Sequence, residues 1–147
     1  MEFTRNHFDI LVLNENGVPL LGAAVIKNIA AGKTGYSYYH EAQEKAKQIG
    51  LKFLLVVSRN LIEVWDISKN NMFCSLKTEK ALKPYSRLNN LNNAESDYLK
   101  ILVELWLEDL ILPWKKEAPP YKEELTQIGL VETIKKGQIE ERIYSCI

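Results

Sequence analysis

Two runs of nearly unbroken apolar residues, Phe8-Asp9-Ile10-Leu11-Val12-Leu13 and Leu20-Leu21-Gly22-Ala23-Ala24-Val25-Ile26, flank the turn signal Glu15-Asn16-Gly17. Asn-Gly between two β-prone runs reads as a hairpin. A strand that meets water on one face alternates apolar and polar residues. These two do not, so they belong to a sheet covered on both faces. Against that background the charged residues at the open end of the hairpin, Asp9 and Lys27, call for a chemical explanation.

Beyond the hairpin, Gly32 and Gly35 loosen the chain before a helix from about Tyr38 to Ile49, with Ser37 as N-cap, Gly50 just past the end and a narrow stripe of Ala42, Ala46 and Ile49. The runs 52–58 and 61–66 read as two strands joined by Arg59-Asn60, giving the order β-β-α-β-β. Ser86 to Asn93, rich in asparagine, reads as a loop into a helix from about Glu95 to Leu112, ended by Pro113. The polar stripe of that helix is Lys100, Glu104 and Glu108. Tyr98, Leu99, Ile101, Leu102, Leu105, Trp106, Leu110 and Ile111 take up most of its circumference. It must therefore be buried on more than one side, by the C-terminal segment or by a second protomer. A short helix around Lys122 to Ile128 and a strand around Ile139 to Tyr144 complete the expectation.

The 147 residues match one domain, large enough to bury roughly 70% of the surface of its unfolded chain without metal or disulfide staples. Nineteen Lys+Arg balance 19 Asp+Glu, so there is no global basic field of the kind that drives non-specific DNA binding, and any nucleic-acid contact has to be a local patch. Cys74 and Cys146 lie outside any Cys-x-x-Cys spacing, which removes support for a zinc or redox pair and points to a reducing cytoplasm. No apolar leader opens the chain, and the stretch 99–112 is too short and too charged to span a bilayer. Gly32-Lys33-Thr34 lacks the glycine five residues earlier that a phosphate loop needs, because Lys27 stands there. His7 and His40 are isolated and read as surface or capping residues.

The strings 8–21, Lys27-Asn28, 51–58 and 62–66, followed by 76–85, resemble the PD-(D/E)xK nuclease superfamily of restriction-endonuclease-like fold. In particular they resemble small proteins similar to the N-terminal domain of type I restriction enzyme R subunits. The resemblance covers about residues 6 to 85. It implies an α/β fold: a mixed sheet centred on the hairpin and the strand at Phe53, forming a core over about 6–70, and a mostly helical extension over 71–147 of the same single domain. In that family an Asp, and a Glu two residues before a Lys, hold Mg²⁺, and the Lys stabilises charge on the attacked phosphate. Asp9 matches the Asp and Lys27 the Lys, but Val25 occupies the Glu position. Losing a carboxylate removes an oxygen donor from a hard cation and should lower its affinity sharply.

Register supplies a geometric test. A two-residue Asn16-Gly17 turn sets Asp9 opposite Ala24 and puts Lys27 on the other face; a three-residue Glu15-Asn16-Gly17 loop sets Asp9 opposite Ala23, with Val25 and Lys27 on its own face. The nuclease reading requires the second. Some family members carry the Glu on the following helix, which makes Glu41 the candidate second metal ligand beside Asp9 and Gln43 the helix glutamine. The competing reading makes Glu41, Gln43, Glu44, Lys45 and Lys47 a solvated helix face. Eight residues precede Asp9, so the opening helix of the family core is not expected, and the exposed sheet edge should be covered by the C-terminal strand or a partner chain.

Three functions follow. The first is a nuclease-fold protein whose metal site has decayed, working in the cytoplasm as a binding or assembly module, with a protein partner or a second copy docked on the apolar helix Tyr98 to Ile111. The second is a small Mg²⁺-dependent DNA endonuclease using Asp9, Lys27, Glu41 and Gln43. The third is a non-catalytic DNA-binding accessory protein using Lys33, Lys45, Lys47 and Lys52 on the phosphate backbone.

Overall fold

The structure is a computed structural model and describes residues 8–26, 35–91, 94–114 and 117–140, with backbone alone for 35–39. It is an α/β arrangement built on a six-stranded mixed sheet. Strands β1 (Ile10–Leu13) and β2 (Pro19–Val25) form the expected hairpin. Helix α1 (Gly35–Ile49) then carries the chain to β3 (Phe53–Val57), which lies parallel to β2. Two antiparallel strands, β4 (Leu61–Asp66) and β5 (Asn71–Lys77), continue outward from β3. The short helix α2 (Thr78–Leu82), a 3-10 turn at Lys83–Tyr85 and helices α3 (Ser96–Ile111), α4 (Lys122–Gln127) and α5 (Leu130–Ile134) follow, and β6 (Gln138–Ile139) returns to pair with β1. The sheet order is β5-β4-β3-β2-β1-β6, which places the parallel β2–β3 pair at its centre.

Both faces of the sheet are covered, as the unbroken apolar runs required. On one face Ile10, Val12, Leu21, Ala23, Val25, Leu55 and Val57 pack against Leu99, Leu102, Val103 and Trp106 of α3. On the other Phe8, Leu11, Leu13, Leu54 and Val56 pack with Ala46 of α1. Burying a Leu, Ile or Phe in this way contributes about 1.5–3 kcal/mol each, so the two cores dominate the stability. Gly22 is where the second core closes on the backbone: a Cβ there would lie 2.7 Å from Leu51 Cδ1 and 3.0 Å from Phe8 Cδ1.

Several elements differ from expectation. Helix α1 starts at Gly35, so Ser37 falls inside its first turn instead of capping it. Strand β5 was not anticipated, because only Leu76 among its seven residues is buried. The segment after residue 70 therefore adds two strands as well as helices to the sheet. The short helix expected around Lys122 to Ile128 is present at Lys122–Gln127, and a further one that was not anticipated follows at Leu130–Ile134, after Gly129 in a left-handed conformation at φ 83°. The expected last strand is seen at Gln138–Ile139, and its continuation toward Tyr144 lies outside the described residues.

Of the two covers weighed for α3, the C-terminal segment is the one observed. Leu125, Leu130 and Ile134 join its core, and Trp106, fully buried, donates its indole N–H to the Pro120 carbonyl at 3.0 Å. Strand β6 closes the β1 edge, where Glu140 N–H donates to Leu11 O at 2.9 Å. Among the described residues no helix is long and apolar enough to cross a membrane.

Candidate functional site

The hairpin decides where Asp9 points. Its loop has three residues, with Gly17 left-handed at φ 77° and Asn14 N–H donating to Val18 O at 2.8 Å. The Asn14 side-chain oxygen accepts the N–H groups of Asn16 and Val18, which fixes the loop. The pair Leu13↔Pro19 keeps the register of such a loop, but an irregularity between Val12 and Leu13 shifts it, so the central pairs are Val12↔Leu21, Leu11↔Gly22 and Ile10↔Ala23. That central register is the one a two-residue turn would have given, and by itself it would set Asp9 opposite Ala24. At the strand end the chain bends back: Asp9 N–H donates to Ala23 O at 2.9 Å, so Asp9 and Ile10 both face Ala23 as in a β-bulge. Phe8 is thereby turned to the α1 side of the sheet, and Asp9 to the α3 side, the face that also holds Val25.

With Asp9 so turned, its carboxylate has a definite partner. Oδ2 accepts the backbone N–H of Val25 at 2.7 Å, a short charge-assisted bond in a partly buried setting. Val25 itself is 7% exposed and its side chain belongs to the α3-side core. The ladder continues one step further, Ile26 N–H donating to Val57 O at 2.8 Å. Lys27, the next candidate, and Lys33 lie outside the described residues.

Glu41 is exposed on α1 and, with Ala42 and Lys45, lines a cavity of about 140 Å³ against Ala24, Val25, Ile26 and Val56. That cavity is on the α1 side of the sheet. Asp9 instead opens into a groove of about 970 Å³ on the α3 side. Thus Asp9 and Glu41 line different cavities, and the half-buried Gln43 lines neither. Among the described residues no group of three or more His, Cys, Asp or Glu side chains is arranged to hold a metal ion. Lys45 and Lys47 lie on α1 with Glu41 and Glu44, whereas Lys52 lies beyond its end, just before β3. Lys47 Nζ sits 4.0 Å from Glu44, and Lys52 lies over the Phe53 ring at 5.7 Å.

The larger groove was not anticipated as a site. Its polar lining is Asp9, Lys100, Glu104, Glu108, Gln138 and Glu140, and Leu13, Ile111, Leu112, Ile139 and Trp114 supply apolar surface. The stripe Lys100, Glu104, Glu108, spaced four and four, was legible as the polar face of α3; that Asp9 and β6 would face it was not. Trp114, 51% exposed, is held at the mouth by its backbone N–H, which donates to Asp109 Oδ1 at 3.2 Å, and by the Tyr85 ring at 6.1 Å. Asp109 is 1% exposed and also accepts the Tyr85 O–H at 2.6 Å. Burial, and then the Asp109 carboxylate, push the Tyr85 phenol far above the ordinary tyrosine range.

No protein-family model, no curated protein and no solved structure matches this chain.

Proposed function

We propose that this chain is a nuclease-fold protein of the PD-(D/E)xK kind whose metal site has lapsed, and that it works as a non-catalytic binding or assembly module. The observation that carries the reading is the 2.7 Å bond from Val25 N–H to Asp9: the one retained acidic position spends its carboxylate on the backbone of the residue that replaces the second. A family-type site needs two carboxylates converging on one cation. Here Val25 is aliphatic and packed, and Glu41 opens on the opposite side of the sheet, so the donor set does not fit Mg²⁺. The order of strands supports the relationship, since the Asp9 strand pairs antiparallel with the strand leading to Lys27, and that strand pairs parallel with the one after the helix.

Calorimetric titration with Mg²⁺ and Mn²⁺ tests this on wild type, Asp9→Ala and Val25→Glu, each checked by its melting curve. The expected result is a silent wild type and a folded Val25→Glu that binds. Saturable binding to wild type that vanishes in Asp9→Ala would overturn the reading in favour of the Mg²⁺-dependent endonuclease. Glu41 beside Val25 in the small cavity is the observation that keeps that second reading in view.

A further inference from the structure

We infer that residues 122–140 form an exchangeable strap, latched onto its own chain by Tyr121, and that its alternative acceptor is a second copy of this chain. The inference rests on the assembly-module reading and names a partner for it. The strap carries α4, α5 and β6. Its attachments to the rest of the chain include Leu125, Leu130 and Ile134 in the core beside α3, and β6 on the edge of β1. A second copy offers the same α3 face and the same β1 edge. Exchange of straps between two copies therefore leaves the buried area almost unchanged, and the hinge decides between closed monomer and exchanged dimer.

That hinge is Pro119-Pro120-Tyr121, immediately before α4. Tyr121 is left-handed, at φ 61° and ψ 14°, a conformation that is costly for a bulky L-residue. The next left-handed residue along the chain is Gly129, where a glycine carries no such cost. A strained residue persists where its surroundings hold it. Among the described residues three contacts do so: Tyr121 Oη accepts the Lys77 N–H at the end of β5 at 3.2 Å, Lys80 Nζ lies 5.0 Å from the centre of the Tyr121 ring, and the buried Trp106 indole N–H donates to Pro120 O at 3.0 Å. Two of them run through the Tyr121 side chain. Opening the hinge releases the strain and gives up that side-chain latch, two effects of similar size and opposite sign. The closed form then keeps the advantage of linkage, an effective concentration of about 1 mM for a short tether. Weakening the latch while the left-handed cost remains tips the balance toward exchange.

The test is sedimentation of the whole chain over a range of concentrations, with each variant first shown to be folded by its melting curve. Wild type should be a monomer at about 10 µM and show a growing dimer toward about 500 µM, below the effective concentration of the tether. Each dimer opens two hinges, so a fivefold effect per hinge becomes about 25-fold in the dimer Kd. Tyr121→Ala should dimerise about that much more tightly than wild type. Tyr121→Gly loses the same side chain but tolerates the left-handed backbone, so it should dimerise less than Tyr121→Ala. Tyr121→Phe, which loses only the hydroxyl, should fall between wild type and Tyr121→Ala, and it carries the test if Tyr121→Ala does not fold. Exchange itself is read by mixing Leu13→Cys chains with Gln138→Cys chains in the Tyr121→Phe background, with Cys74→Ser and Cys146→Ser in both. Leu13 and Gln138 are partners across the β1–β6 pair, so a disulfide between the two chains requires the strap of one on the β1 edge of the other. Tyr121→Ala and Tyr121→Phe as monomeric as wild type, or Tyr121→Gly dimerising as tightly as Tyr121→Ala, would sink the inference. So would a dimer without the mixed disulfide, the result expected if two copies meet through exposed Leu112 and Trp114 instead. The metal titration separates the two levels: a silent wild type without exchange overturns the strap alone, whereas metal binding through Asp9 overturns the module.

Discussion

Replacing Asp9 by alanine probes the contact on which the functional reading turns. In the native chain Asp9 Oδ2 accepts Val25 N–H at 2.7 Å, partly buried, at the end of β2. A hydrogen bond to a charged group contributes about 1.5–3 kcal/mol to stability, and its loss strands a donor that then has to find water. Val25 is only 7% exposed, so its N–H is poorly hydrated after truncation; Asp9 is half-buried, so some water enters where its carboxylate was. The balance puts the cost near 2 kcal/mol. In a chain of 147 residues each kcal/mol moves the midpoint about 2–4 °C, so Asp9→Ala should melt about 4–8 °C lower. Asp9→Asn keeps an oxygen acceptor without the charge and should lose about half as much. Urea unfolding gives the comparison, with an unchanged m-value showing that the two end states are the same. The sign is diagnostic. A carboxylate retained to bind metal sits among like charges at a cost, and removing such a residue from the metal-free protein is commonly neutral or stabilising. Finding Asp9→Ala within about 0.5 kcal/mol of wild type, or more stable, would therefore refute the structural role given to Asp9.

Tyr85→Phe removes one of the two donors to buried Asp109 seen among the described residues and should cost about 1–3 kcal/mol, read as a lower urea midpoint. Because the folded-state pKa of Tyr85 is raised while the unfolded one is near 10, its contribution is complete below about pH 10 and is lost as pH climbs toward the folded value. In an alkaline absorbance titration Tyr85 should stay protonated well above the pH at which an ordinary tyrosine ionises. Gly137→Ala should destabilise more than Gly22→Ala. A Cβ at Gly137 meets the Leu13 and Ile134 carbonyl oxygens at 2.9 and 3.1 Å, backbone atoms that cannot yield without breaking the β1–β6 pair. At Gly22 it meets Leu51 Cδ1, the movable end of a side chain, and a Phe8 ring. Both fall within the usual cost of overpacking, about 1–3 kcal/mol, with Gly137→Ala at the upper end; equal midpoints in urea would contradict the ranking.

What could be read from the sequence was what local chemistry determines. Asn16-Gly17 announced the turn, Gly50 at φ 76° ended α1 where expected, and the apolar circumference of α3 required the cover that Leu125, Leu130 and Ile134 supply. Strand β5 escaped because an edge strand buries little: Met72 is 47% exposed, and no alternation survives in Asn71 to Lys77. The groove escaped for a different reason. It joins Asp9 near one end of the chain to Glu140 near the other through a sheet edge, and only the β1–β6 pairing brings them together. Asp109 was legible as a charge on α3 but not as a buried one, since its partner Tyr85 lies 24 residues away.

The register of the hairpin shows why a motif of an Asp and a later Lys is weak proof of a catalytic centre. Period-two alternation turns a one-residue slip into a change of face, and here the slip happens twice. The shift between Val12 and Leu13 sends the central pairs to one register, and the bend at Asp9, with its N–H on Ala23 O, returns the strand end to the other. Two irregularities within five residues would be wasteful if Asp9 had no task on the α3 face. The task seen there is structural and local: closing the end of β2 by accepting the N–H of Val25. Such a bond selects for an acceptor at position 9 whether or not a metal is ever bound, because alanine there leaves a donor unmatched. The same residue thus satisfies a nuclease motif by type and a strand-end cap by geometry. The atom that its carboxylate addresses in this structure is a backbone nitrogen, which supports the cap, and the metal titration is the test between the two.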